Sequence, residues 1–249
     1  MSLTAVVPAR YASTRFPGKP LAQLLGKPMV QHVWERCHEA KVFSRVVVAT
    51  DDERIAQAAR SFGAEVALTS TDCVSGTDRV AQVARSDERG DDAAYVNVQG
   101  DEPAVHPDAL RTLAMLITQP HVVMATLRRP LLAHERTNPN VVKVVVNASD
   151  EALYFSRADI PFSRDPSVDV ARWAHVGLYA YRRRTLLELS SFPESPLERS
   201  EGLEQLRALH QGVRITCGLS THASVSVDSP ADVPLAEAAL TKWLKSDRR

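Results

Sequence analysis

Three cations cluster in the run that follows the first apolar stretch of the chain. Arg10, Arg15 and Lys19 fall between Pro8 and Pro20, together with Ser13, Thr14 and Gly18. A loop of this kind, placed after a first strand, presents backbone N–H groups and positive side chains to an anion. Guanidinium groups grip phosphate in pairs of hydrogen bonds, and an ammonium acts as a compact charge. The run is neither GxGxxG nor GxxxxGK[ST], so it fits neither a dinucleotide fingerprint nor a P-loop. The plain alternative is a surface loop whose charges are solvated. Covalent chemistry finds no support: Cys37, Cys73 and Cys217 have no convincing histidine partner, and their wide, odd-numbered spacing makes no disulfide framework or CxxC metal site.

The elements that must position such a loop are legible as apolar runs. Leu3–Val7, Arg45–Ala49, Glu65–Leu68 and Ala94–Val98 are predicted as buried strands. Pro28–Ala40, Glu53–Ser61 and Thr77–Arg85 are predicted as the helices between them, with Met29, Val33, Trp34 and Cys37 on one face of the first. Continuous apolar strands separated by helices require a parallel sheet covered on both faces. The fold class is therefore α/β, with a doubly wound, mostly parallel sheet, whose ligands bind beyond the carboxyl ends of the strands. Val122–Leu127, Val141–Val146, Ala152–Phe155 and Ala174–Tyr181 are strands with few helices between them, which predicts a smaller β-rich lobe. Helical patterning returns in Glu198–His210, with Leu203, Leu206 and Leu209 at i, i+3 and i+6. A strand at Arg214–Cys217 and a last helix from Pro230 to about Leu244 complete the reading, with Pro230 in a first turn where a missing N–H costs little.

The chain has 249 residues with 30 Lys+Arg and 30 Asp+Glu, a formal net charge of +0, and 44% apolar residues. That balance argues against a disordered chain and against a duplex nucleic-acid binder, which needs a basic excess, and leaves room for a local basic site for one small anion. No window approaches a membrane span, and MSLTAVVPAR lacks a signal peptide's longer apolar stretch, so a cytoplasmic location is expected.

The run PARYASTRFPGKPL closely resembles the N-terminal signature of the sugar nucleotidyltransferases, above all the 3-deoxy-manno-octulosonate (Kdo) cytidylyltransferases. SGTDR (75–79), NVQGDEP (97–103), NPNVVKVV (138–145), ALYFSRADIPFSRD (152–165), HVGLYAYR (175–182), LEQLRAL (203–209) and VDSPAD (227–232) are similar to that family in order and spacing. The resemblance covers essentially the whole chain. It implies a nucleotide-diphospho-sugar transferase-like fold in a single domain, with 1–128 and 205–249 binding nucleotide and 129–204 binding sugar and forming a homodimer contact. Phe162, Phe192 and Trp173 are either anchors of that contact or core. The implied reaction joins CTP and Kdo to give CMP-Kdo and pyrophosphate for lipopolysaccharide biosynthesis.

The resemblance also implies roles. Pro8, Ala9, Arg10, Ser13, Thr14, Arg15, Lys19, Ser75, Gly76, Thr77 and Arg79 would meet the nucleotide. Asp101 and Asp228, each expected at a strand end, would hold Mg2+, which prefers carboxylate oxygen with phosphate and water. With Arg10 and Lys19 they form the expected catalytic set. Gln99, Arg157, Arg164, His175, Tyr179, Glu204 and Gln205 would contact the sugar acid. Each has a plainer reading. Asp101 could cap a helix near Pro107, and Asp228 one at Pro230. Ser75 or Thr77 could cap the helix they open, with Asp78 favourable in its first turn. Arg157 and Arg164 could be surface charges paired with Asp159 and Asp165. His175 could be a satisfied core histidine, and Glu204-Gln205 a solvated face. Glu102 is either an outer carboxylate of the metal site or solvated. No general base is required: a second carboxylate, a phosphate oxygen or the metal's effect on the sugar hydroxyl would each suffice. Two other 2-keto sugar acids, an amino-substituted octulosonate and a sialic acid, remain as substrates. A non-catalytic nucleotide sensor on the same fold and a nicotinamide oxidoreductase are the alternatives of other classes.

Overall fold

The valine-rich runs of the first hundred residues become neighbouring strands. The computed structural model describes the chain except Thr14, Asp91, Asp92, Pro166, Asp169, Ala223, Ser224 and residues 247–249, and the side chains of 244–246. In chain order the elements are β1 (Leu3–Ala9), β2 (Gln23–Leu24), β3 (Lys27–Pro28), α1 (Met29–Ala40), β4 (Arg45–Thr50), α2 (Glu53–Ser61), β5 (Glu65–Leu68), α3 (Gly76–Arg85), β6 (Ala94–Asn97) and α4 (Pro107–Thr118). They continue with β7 (Met124–Pro130), β8 (Lys143–Val146), β9 (Ala152–Ser156), β10 (Trp173–Arg182), α5 (Arg183–Leu189), α6 (Pro196–Glu201), α7 (Gln205–His210), β11 (Thr216–Leu219) and α8 (Val233–Ser246).

The main sheet runs in the order β11-β7-β10-β6-β1-β4-β5, with β8 and β9 branching from β10. β1 pairs in parallel with β4 and β6, β4 with β5, and β11 with β7. β10 alone on this path runs antiparallel, to both β6 and β7. β1 shows why the sheet is covered twice. Ala5 and Val7 join a core built with α1 and α4, while Val6 joins the opposite core with Val80 and Ala84 of α3. Alternate residues of one strand thus serve two helical layers.

Several expectations are revised. The single helix expected over Glu198–His210 is two helices, because Gly202 adopts φ +61° and ends α6. Arg207 of α7 then folds back onto Glu198 of α6, with Nε–Oε2 at 2.8 Å. The last helix begins as a 3-10 turn, Pro230–Asp232, before α8. Pro28 is the N-cap of α1 rather than its first residue. The strand expected before Asp228 is absent among the described residues 225–227; a single bond from Val227 N to Asp101 O, 2.9 Å long, does its work. The β10 strand belongs to residues 129–204 yet lies mid-sheet, so that lobe is continuous with the core.

Candidate active site

The carboxyl ends of β1 and β6 and the start of α3 open onto one cleft, and the loop after β1 forms its rim. Gly18 makes that loop compact. Its φ of +70° is open to glycine, and its amide binds the Tyr11 carbonyl at 3.0 Å, closing the loop on itself. Tyr11 is held from both sides: a Cβ at Gly18 would stand 3.1 Å from its ring, and the Arg54 guanidinium of α2 lies 3.3 Å from its centroid. Lys19 then starts a 3-10 turn with Pro20 and Leu21. The floor is closer still. A Cβ on Gly100 would come within 2.5 Å of the Pro8 carbonyl oxygen, so only glycine lets the turn after β6 lie against the end of β1.

Lys19 is the centre of the charge arrangement. Its Nζ lies 2.7 Å from Asp101 Oδ2 and 3.8 Å from Asp228 Oδ1, and its side chain is only 15% exposed. Arg15 Nη2 reaches Asp228 Oδ1 at 3.0 Å from the more exposed side. The two aspartates therefore converge on one cation. Neither serves as a helix cap. His106 accepts the Asp108 amide at the start of α4, and Asp232 accepts the amides of Asp228 and Ser229. Those substitutes leave both aspartate carboxylates turned to the cleft.

The cleft has two chambers. The first is lined by Pro8, Ala9, Arg10, Ser13, Arg15, Lys19, Cys73, Ser75, Gly76, Arg79, Gln99, Asp101 and Asp228. Thr14 lies outside the described residues. Ser75 caps α3, its Oγ accepting the Asp78 amide at 3.1 Å while the Asp78 carboxylate accepts the Ser75 amide. Arg79 is buried and paired with Asp51 at 3.1 Å, which fixes its position beneath the chamber. The second chamber is lined by Thr77, Gln99, Asp101, Glu102, Gly177, Tyr179, Tyr181, Glu204, Gln205 and Ser226. Gln99 and Asp101 face both. Thr77, expected with the nucleotide, opens on the second chamber only.

The break at Gly202 explains why Glu204 and Gln205 are not on a solvated face. It starts α7 at the chamber wall, where Gln205 is buried. Burial pushes the Glu204 carboxyl above its usual range, partly offset by a hydrogen bond with Thr77. Burial likewise raises the Tyr179 and Tyr181 hydroxyls, so both remain neutral donors.

Three expected sugar contacts stand elsewhere. Arg157 spends its guanidinium on main-chain carbonyls: Nε on Glu201 O at 2.7 Å, Nη1 on Pro139 O at 2.9 Å and Nη2 on Gly202 O at 3.2 Å. Asp159, its alternative partner, pairs instead with Arg136 and Arg172. Arg164 is exposed and borders neither chamber, while Asp165 bonds Ser167. His175 lies behind Tyr179, ring centroids 5.4 Å apart, and its Nε2 meets Thr126 Oγ1 at 2.9 Å. Burial pushes its imidazole down to about 3. Tyr181, Glu102 and Ser226 line the second chamber without having been assigned to the sugar. Tyr181 had a signal in the sequence, since it follows Tyr179 at the two-residue period of one strand face.

Fold and cleft together are those of an α/β nucleotidyltransferase. Residues 4–215 match the cytidylyltransferase family model. A 3-deoxy-manno-octulosonate cytidylyltransferase of Myxococcus xanthus (strain DK1622) is 52% identical over 95% of this chain and 95% of its own. One of the same description from Syntrophotalea carbinolica (strain DSM 2380 / NBRC 103641 / GraBd1) is 50% identical over 96% of this chain and 99% of its own. A solved CMP:2-keto-3-deoxy-manno-octonic acid synthetase complexed with CTP superposes with a TM-score of 0.91 at 42% identity, covering 97% of this chain and 99% of that one. The chain belongs to the cytidylyltransferases, in the 3-deoxy-manno-octulosonate cytidylyltransferase family.

Proposed function

We propose that this protein transfers CMP from CTP to the anomeric hydroxyl of Kdo, releasing pyrophosphate. The observation that carries the reading is the pair of chambers meeting at Gln99 and Asp101. The basic first chamber suits a triphosphate, and the second, rich in hydroxyl and amide groups, suits the hydroxyls of a sugar. A sugar oxygen entering from the second chamber reaches the α-phosphorus beside Asp101. Its bond to phosphorus forms as the bond to the departing pyrophosphate oxygen breaks, and the hydroxyl proton is released. Little covalent help is needed; positioning and charge neutralisation supply most of the acceleration.

Arg10, Arg15 and Lys19 carry positive charge to the phosphates. Ser75 and Gly76, at the start of α3, add a helix N-terminus to the same chamber. On the sugar side we assign Gln99, Tyr179, Glu204 and Gln205, with Thr77 and Tyr181 added. Arg157, bound to carbonyls of the α6–α7 junction, holds the wall that carries Glu204. Mg2+ fits the cleft on its donor set: Asp101 and Asp228 are hard carboxylates that already converge on the Lys19 ammonium. These two residues would hold it, and it would supply neutralisation of phosphate charge. We assign the enzyme to the cytoplasm; no helix among the described residues is long and apolar enough to cross a membrane, and its three cysteines are free. A homodimer through the β8–β10 lobe is supported by Phe162, which is 88% exposed, whereas Phe192 and Trp173 pack against the core.

Pyrophosphate release measured with CTP, Mg2+ and Kdo tests the assignment. Turnover with Kdo above that with sialic acid or an amino-substituted octulosonate is expected; a folded sample inactive on Kdo rules it out.

A further inference from the structure

A strand interior is a costly place for glycine, which offers the sheet no side chain to pack and gives up the most backbone freedom on folding. Gly177 nevertheless stands in the middle of β10, on the wall of the second chamber with Tyr179. Two reasons inside a protein commonly account for such a glycine. One is a left-handed backbone, as at Gly18; the other is a clash, as at Gly100. Neither applies here. The backbone of Gly177 lies outside the left-handed region, and a Cβ built on it would meet Glu102 Oε1 first, at 3.8 Å, its own chain neighbours aside. Among the glycines of the chain it alone combines an ordinary φ with surroundings so open.

The irregularity of β10 does not require glycine either. Its pairing with β7 shifts register between Val176 and Tyr179. A bulge demands glycine where one of its residues takes a positive φ, and none of these four does. The bulge is braced instead by Thr126 of β7. Its Oγ1 stands 2.8 Å from the Leu178 carbonyl oxygen and 3.2 Å from that of Val176. Those two carbonyls flank Gly177, so a side chain of the neighbouring strand fixes the backbone there, and the freedom of glycine is not what shapes it.

What remains is the space itself. A methyl group at this position would take up room in the chamber, because Glu102, the first atom it meets, belongs to another lining residue. We propose that Gly177 is a specificity-determining residue: it reserves room into which the sugar acid packs, with ligand carbon close against its Cα. This inference rests on the second chamber being the sugar site. It adds a selection by shape to a chamber whose assigned groups, Gln99, Tyr179, Glu204 and Gln205, select by hydrogen bonding. A larger residue at position 177 would serve the strand better and the substrate worse.

Gly177→Ala in the full chain tests this, since alanine suits the backbone and meets no protein atom too closely. We expect the variant to melt at or above the wild-type temperature and to bind CTP in calorimetry with wild-type affinity. Its KM for Kdo should rise about tenfold or more. Gly177→Val, whose side chain strands favour, should raise it further. A destabilised alanine variant shows that the glycine serves the fold, and overturns the proposal. So does a folded variant whose sugar KM is unchanged, or one that loses affinity for CTP and Kdo alike. Wild-type turnover of the amino-substituted octulosonate or sialic acid in place of Kdo sinks the Kdo reading alone, and the same comparison with that acid then decides the role of Gly177. Folded wild-type protein idle with all of these acids overturns both.

Discussion

Lys19 Nζ sits 2.7 Å from Asp101 Oδ2, joining residues far apart in the chain across the mouth of the cleft. The contact sets a conflict of roles: the ammonium assigned to phosphate also shields the carboxylate assigned to the metal. Asp101→Asn keeps the shape and removes the charge. We expect turnover to fall at least about a hundredfold, as for loss of one electrostatic element of a transition state. The pair is half-buried, so the melting temperature moves by less than about 4 °C. Pyrophosphate release and thermal melting check both halves, and full activity in the variant refutes the assignment.

Gly100 tests the floor of the same cleft. Its substitution by alanine forces a methyl group against the Pro8 carbonyl oxygen, where 2.5 Å is available. The backbone must part from the end of β1, at a cost of roughly 1–3 kcal/mol. Urea unfolding of Gly100→Ala should show that loss, together with weakened CTP binding because Asp101 moves with its neighbour.

Tyr11 probes the loop without touching a charge. Removing its ring in Tyr11→Ala deprives the Gly18 turn of its support and the Arg54 guanidinium of its aromatic contact, while the Arg54–Asp52 pair remains. The KM for CTP should rise while the sugar acid's KM holds. A change confined to the sugar side would show that the loop does not serve the nucleotide.

His175 gives a pH signature. Its imidazole is held neutral down to about 3, against 6.5 for a free side chain. Between these values the unfolded chain takes up a proton that the fold refuses, so stability is fully present above pH 6.5 and declines as pH falls toward 3. Melting followed across that interval should fall less steeply in His175→Gln than in wild type. Parallel curves would mean the imidazole ionises in the folded protein.

Much of this was legible from residue patterns. The Val6-Val7 pair of β1 and the Val46–Val48 run of β4 specify buried strands, because a covered sheet hides consecutive β-branched side chains well, and Glu53–Ser61 and Glu65–Leu68 fall where their polarity changes predict. The loop from Arg10 to Lys19 was conspicuous through its charges. The small β2–β3 hairpin was not, because its turn uses Leu25 at φ 48°, a conformation leucine does not advertise. The break at Gly202 was hidden by Leu203, which lies in the link between α6 and α7 and continues the spacing of Leu206 and Leu209. Arg157 illustrates a further limit. Charge type tells what a residue can bind, while only tertiary geometry tells whether carbonyl groups of its own chain reach it first.

The bond from Val227 to Asp101 also bears on how the enzyme comes into being. A ribosome delivers Lys19 and Asp101 long before Asp228, and the two aspartates meet only after most of the sheet has been threaded. Contacts so distant in the polypeptide slow folding, because the chain between them must be ordered before they can form. The cleft is therefore incomplete until the segment carrying Val227 and Asp228 has docked against the β6–α4 connection.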